Sequence, residues 1–392
     1  MSKIAIITRT VWVLSLVSLC TDMASEMLYP IMPLFLKSIG FSVLLIGVLE
    51  GLAEATAGIS KGYFGKLSDS RGRRVPFVRL GYAISAISKP MMAIFVFPLW
   101  IFLARTLDRL GKGIRTGARD AILSDEASPE TKGSVFGFHR SWDTVGAVLG
   151  PSFGLLFLYF HPGEYRVLFI IAFLPGALAV LFSFTLSESA RKEKINTSSG
   201  SFFSFLTYWK KATPDYRKLV FGLLLFTLIN SSDVFLLLKA KSAGLSDTAV
   251  VGIYIFYNLV YAAIAYPAGM LADKLGLKNT LVFGIVLFAM VYGGMAVMGN
   301  GWWFGFLFLL YGIYAACTES IAKAWITNIC HQEEVATAIG TFTAFQSFCI
   351  LIASSLAGLI WYYYGEAYLF LGTGLLALTV SIYISTLKKT MT

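Results

Sequence analysis

The sequence predicts an all-α integral membrane protein with twelve transmembrane helices in two pseudo-symmetric six-helix bundles. Composition is the first reason: 57% of the 392 residues are hydrophobic and only 14% are charged, a balance outside that of soluble domains. The second is a series of twelve apolar spans, each near the roughly 20 residues that a bilayer-crossing helix needs. The third is an internal repeat: set back by 204 residues, the second half of the chain overlays the first.

Taken in order, span 1 (11–36) is too long for a leader's apolar region and carries Asp22 and Glu26. Span 2 (43–65) holds Glu50 and Glu54, followed by Gly58 and Gly62 on the same stripe, and span 3 covers 76–97. In span 4 (99–121) lies "RTLDRLGKGIRTGARD", seven charges in sixteen positions. Span 5 (133–160) opens with "FHRSWD", and span 6 (165–187) runs into the polar, basic, serine-containing stretch that starts "SESARKEKINTSSG". Spans 7 to 12 follow at 218–240, 247–271, 279–298, 302–328, 334–363 and 366–387. The domain reading is therefore 1–187, a linker at 188–217, and 218–392.

A formal charge of +10 raises the question of nucleic acid. Lys and Arg, however, fall in alternate loops, which is the bias of cytoplasmic loops in membrane proteins. That bias puts both termini and the linker on the cytoplasmic side, as an even number of spans requires. Cys20, Cys317, Cys330 and Cys349 lie singly, without metal-ligand spacing, and read as core packing. No cofactor or metal is expected.

Under the 204-residue shift "GKLSDSRGRR" faces "GMLADKLGLK". The first copy resembles the loop between helices 2 and 3 of the major facilitator superfamily, through Gly65, Leu67, Asp69, Gly72, Arg73 and Arg74; the second keeps Asp273 but has Leu277 for the arginine. "GFHRSWDTVGAVLGPSFG" is similar to the superfamily's antiporter pattern in helix 5, with Gly137, Gly146, Gly150, Pro151 and Gly154, departing from it at Leu155. The resemblance spans nearly the whole chain. It implies a secondary transporter of a bacterial inner membrane, working as a monomer with protons and a small-molecule substrate, and it implies no enzyme activity.

Ionisable groups inside a bilayer are costly and normally face protein or water. Asp22 and Glu26 share one helix face, and with Glu54 they are the candidates for proton coupling, either free to titrate or held in ion pairs with Arg105 and Arg109. Arg105, Asp108 and Arg109 lie one to three turns into span 4 and are candidates for substrate contact, as are Asp22, Glu26 and Glu54. From the second half come Asp233, Tyr254, Tyr257, Asn258, Glu319, Lys323 and Gln346, with Glu319 and Lys323 spaced to pair. Near the cytoplasmic ends, Gly65, Asp69, Gly72, Arg73, Arg74, Arg115, Arg119, Arg140, Asp143 and Asp273 are expected to gate. Among these, Arg115 and Arg119 are the expected partners of Asp69, and Arg140 is expected to pair with Asp143. Acidic and basic groups in one half and polar aromatics in the other suit an amphiphilic or zwitterionic solute. The expectation is a proton-linked exporter, with an importer of a nutrient or metal chelate as the alternative; a membrane enzyme or receptor fits less well, since His139, His161 and His331 lie apart and no phosphate loop is present.

Overall fold

The computed structural model describes residues 6–29, 31–32, 35–36, 39–41, 43–188, 203–297 and 301–387. Among these the chain is helical, with no strand. The long helices are α1 (Arg9–Glu26), α2 (Val43–Arg71), α3 (Val75–Ile94), α4 (Pro98–Asp125), α5 (Lys132–Phe160) and α6 (Tyr165–Ser183). After them come α7 (Pro214–Ser242), α8 (Asp247–Leu275), α9 (Leu277–Val297), α10 (Gly301–Ile329), α11 (Val335–Tyr364) and α12 (Glu366–Thr386). Helices α5 to α12 are long and apolar enough to cross a membrane, by length and composition; the intramembrane charges of the first half concentrate in α1 to α4.

Local chemistry sets the helix ends. Thr213 Oγ1 accepts from Tyr216 N, with Pro214 opening α7, and Ser246 Oγ accepts from Ala249 N at the start of α8. Helix α3 has no cap of its own; Glu188, far along the chain, accepts from Arg74 N at 2.7 Å and Val75 N at 2.9 Å. The two copies of the repeated loop turn on Gly72 (φ +64°) and Gly276 (φ +97°), a conformation that strains any residue with a Cβ.

Three elements differ from the sequence reading. Continuous helix in span 1 stops at Glu26, and short helical bonds such as Met32 N to Leu28 O carry it onward, in a stretch whose sequence includes Pro30 and Pro33. Helix α7 is interrupted between Ile229 and Val234 by Asn230, Ser231, Ser232 and Asp233, side chains that compete with the helical ladder. The linker contains short helical turns at Ser204–Thr207 and Tyr208–Lys211, where Phe205 and Tyr208 are buried.

Two compact units make up the chain. Unit 1 comprises Met1–Glu126, Trp142–Lys211 and His331–Ala344; unit 2 comprises Ala127–Ser141, Ala212–Cys330 and Phe345–Thr392. The first turns of α5 thus belong to unit 2, and those of α11 to unit 1. Inside unit 1, α4 packs on α2 and α3, and α6 packs on α1 and α3. Unit 2 repeats these neighbours 204 residues on: α10 with α8 and α9, α12 with α7 and α9. Large apolar side chains such as Leu99, Tyr159, Leu174, Trp302 and Leu375 stand exposed, which water disfavours and lipid accepts.

Candidate functional site

The repeated loop aspartates are helix caps. In unit 1 Asp69 Oδ2 accepts from Thr337 N at 2.6 Å and Thr337 Oγ1 at 2.8 Å, in the first turn of α11. The matching Asp273 in unit 2 accepts from Gly133 N at 2.8 Å and Ser134 N at 2.7 Å, in the first turn of α5. A carboxylate there satisfies backbone donors that have no partner within the helix and meets the positive end of its dipole. The expectation that Arg115 and Arg119 hold Asp69 is therefore corrected. The cation at Asp69 is Arg74, at 3.4 Å, which also reaches Asp125 and the Gln332 carbonyl. Arg115 donates to Ser85 Oγ and lies over the Tyr82 ring, while Arg119 pairs with Asp120 and donates to Ser18. Arg73 is exposed on the loop.

Glycines bring these helices together. A Cβ added at Gly65 would lie 2.4 Å from the Ala336 carbonyl oxygen, and one at Gly340 would lie 2.4 Å from that of Lys61. The equivalent crossing in unit 2 is as tight: 2.2 Å from Gly269 to the Gly133 oxygen and 2.4 Å from Gly137 to the Ala265 oxygen.

The rest of the helix 5 pattern packs on α1. Cβ atoms at Gly146, Gly150 and Gly154 would meet the carbonyl oxygens of Leu19, Met23 and Met27 at 2.4, 2.5 and 2.7 Å. Pro151 lies inside the helix beside this stripe. About two turns before Pro151, Asp143 is buried, accepts from Ser18 Oγ, and has Asp22 as an acidic neighbour. Glu26 and Lys112 are charged neighbours of Asp22, and Arg109 and Arg105 also act on Glu26. Glu54 lies on α2, but its side chain is outside the described residues.

Arg105 and Asp108 face a partner that the sequence reading missed. Lys89 of α3, almost fully buried, forms an ion pair with Asp108 and donates to Ser25 Oγ at 3.1 Å. Arg105 lies 3.7 Å from the same carboxylate. The signal for it in the sequence is a lone lysine in the middle of apolar span 3.

In unit 2 the break in α7 places Asp233 among tyrosines. Tyr311 OH donates to Asp233 Oδ1 at 2.6 Å and Tyr257 OH lies 3.4 Å from Oδ2. Tyr254, Tyr257 and Tyr261 line one face of α8; Tyr311 and Tyr314 continue the wall from α10, with ring centroids 5.1–6.4 Å apart. Asn258 turns its amide back to the Tyr254 carbonyl, and Gln346 is half-buried on α11. Glu319, expected to pair with Lys323, forms an ion pair with Arg140, which also bonds Tyr261 OH. Of the predicted substrate residues, Asp22, Glu26, Arg105, Asp108 and Arg109 are neighbours inside unit 1, and Asp233, Tyr254, Tyr257 and Glu319 inside unit 2.

This duplicated helical architecture, with buried charges and paired glycine crossings, defines a membrane transporter. The family model of the Major Facilitator Superfamily matches residues 14–257 and 234–390. An uncharacterised MFS-type transporter of Methanocaldococcus jannaschii is 32% identical over 361 residues, covering 91% of this chain and 89% of the relative. A multi-drug resistance efflux pump PmrA homolog of Lactococcus lactis is 23% identical, over 86% of this chain and 85% of the relative. Among solved structures, the human organic anion transporter MFSD10 (TETRAN) superposes with a TM-score of 0.81 at 18% identity, covering 96% of this chain and 99% of that one. The chain belongs to the Major Facilitator Superfamily and is a multi-pass membrane transporter.

Proposed function

We propose that this protein is a proton-coupled secondary transporter that exports a small organic solute by alternating access. The observation that carries the coupling is the placing of two acidic side chains, Asp22 of α1 and Asp143 of α5, beside the α1–α5 glycine crossing. Two carboxyls that are neighbours in a low-dielectric site repel each other when both are ionised, so taking up one proton relieves the pair. Ionisation of both repels the pair at a crossing where the backbones come close, which links protonation to helix movement. Glu26, a charged neighbour of Asp22, and Glu54 of α2 complete the relay.

Export is supported by the efflux-pump relative and by the glycine and proline pattern in α5. The Asp69 and Asp273 caps are made in one transport state and broken in the other, as the halves 1–187 and 218–392 rock about the 188–217 linker. Gly65, Gly72, Arg73, Arg74, Arg140 and Gly137 support those contacts. The protein acts as a monomer in the inner membrane with both termini cytoplasmic, draws its energy from the proton gradient, and carries out no enzymatic chemistry.

Vesicle transport tests the reading. Asp22→Asn and Asp143→Asn each abolish gradient-driven solute movement in inverted vesicles while leaving the amount of folded protein unchanged. Either variant concentrating solute as well as the wild type overturns the coupling assignment, and accumulation only in right-side-out vesicles reverses the direction.

A further inference from the structure

Asp233 is a half-buried carboxylate inside the tyrosine wall, and its side-chain partners among the described residues are neutral. Asp69 has Arg74, Asp108 has Lys89 and Asp120 has Arg119, whereas among the described residues Asp233 receives the phenol hydroxyls of Tyr311 and Tyr257. The charged side chain nearest in influence is Glu319, of the same sign. A carboxylate held only by neutral donors in a half-buried site has no charge partner there, so an arriving cation gains both the ion pair and the site's existing hydrogen-bond frame.

Three further features converge on the same place. The first segment of α7 ends at Ile229, so the negative end of its dipole meets the break that Asp233 occupies. Asn230 Nδ2 donates to Tyr314 OH, and among the described residues its buried Oδ1 has no donor. The tyrosine wall already holds one cation: the Arg140 guanidinium lies 5.1 Å over the Tyr261 ring. Aromatic faces favour organic cations, whose apolar bodies pack on the rings while the charge meets the quadrupole. Asp233 and Tyr254 are half-buried while Tyr257, Tyr311 and Tyr314 are buried, so the cage is reached past Asp233 and Tyr254.

We propose that the cage of Asp233, Tyr254, Tyr257, Tyr311 and Asn230 is a binding site for an organic cation with an apolar body, which makes lipophilic monocations the substrate class of this transporter. This rests on the export reading above. It excludes a small hydrated metal ion as the preferred occupant, because the wall is built from rings rather than from a shell of oxygen ligands.

The test is equilibrium binding of tetraphenylphosphonium to the purified full-length protein, with tetraphenylborate as the anion of the same shape. The wild type binds the cation and not the anion. Asp233→Asn weakens binding at least tenfold, and Tyr257→Leu weakens it roughly threefold while Tyr257→Phe, which keeps the ring, does so less. Tyr254→Leu supplies a second check if Asp233→Asn fails to fold. Wild-type protein that ignores tetraphenylphosphonium, binds both ions alike, or binds it undiminished in Asp233→Asn and Tyr254→Leu overturns the assignment. Proton movement driven by a neutral solute, with no tetraphenylphosphonium binding, leaves the transport reading standing and removes this site. Tetraphenylphosphonium binding without any proton-linked flux does the reverse.

Discussion

Replacing Gly65 with alanine places a methyl group 2.4 Å from the Ala336 carbonyl oxygen, where ordinary contact begins at 3.4 Å. About 1.0 Å of overlap, the difference of those two distances, must be relieved, and the obstacle is backbone, which does not rotate away. Overpacking of this kind costs about 1–3 kcal/mol. If the α2–α11 crossing exists in one transport state only, that cost shifts the balance between states by roughly 5- to 150-fold. The assay is maleimide labelling of Thr341→Cys, a fully buried position on α11, in a background with Cys20, Cys317, Cys330 and Cys349 replaced. Gly65→Ala raises the labelling rate at least fivefold, whereas Gly305→Ala, with nothing within 4 Å of its added Cβ, leaves it unchanged. Equal rates in Gly65→Ala and in the parent show that the close crossing does not set the population of states.

Other consequences are of the same kind. Asp69→Ala strips Thr337 of two hydrogen bonds at the start of α11; the capping loss of about 1 kcal/mol or more appears as faster labelling at Thr341→Cys, and Asp273→Ala has the matching effect on a cysteine in the first turns of α5. Lys89→Met leaves the Asp108 charge buried with Arg105 at 3.7 Å, a loss of about 3–5 kcal/mol seen as a lower thermal midpoint in detergent. Lys89→Met combined with Asp108→Leu recovers most of that midpoint, and a double variant less stable than the single shows that the pair is not the unit. Gly150→Leu, against Met23 O at 2.5 Å, separates α1 from α5 and removes proton-linked flux while cation binding in unit 2 persists.

Much of the fold was legible because a bilayer forces it. Apolar runs had to become helices, and the 204-residue repeat had to give both units the same helix neighbours. The repeated loop was legible as a motif, but its partners were not: Asp69 and Asp273 bind backbone N–H groups of α11 and α5, and backbone donors leave no residue-type signature in a sequence. Arg115 and Arg119 carry the charge that would suit Asp69, but their partners are Ser85, Tyr82, Asp120 and Ser18. The span 7 break was signalled by "NSSD", four residues that favour turns over helix, yet apolar flanks on both sides masked it. Tyr311 and Tyr314 went unnoticed because aromatic residues at helical spacing fit lipid or core equally well; only the position of Asp233 selects them.

The measurement closest to the central claim is internal pH in proteoliposomes of purified protein, followed by a trapped dye while amphiphilic amines, siderophores and sugars are added one at a time across an imposed proton gradient. The account predicts that a solute which crosses the membrane dissipates the gradient in the wild type and not in Asp22→Asn or Asp143→Asn. Solute flux that proceeds at the same rate with no proton movement, in the wild type and both variants, contradicts it.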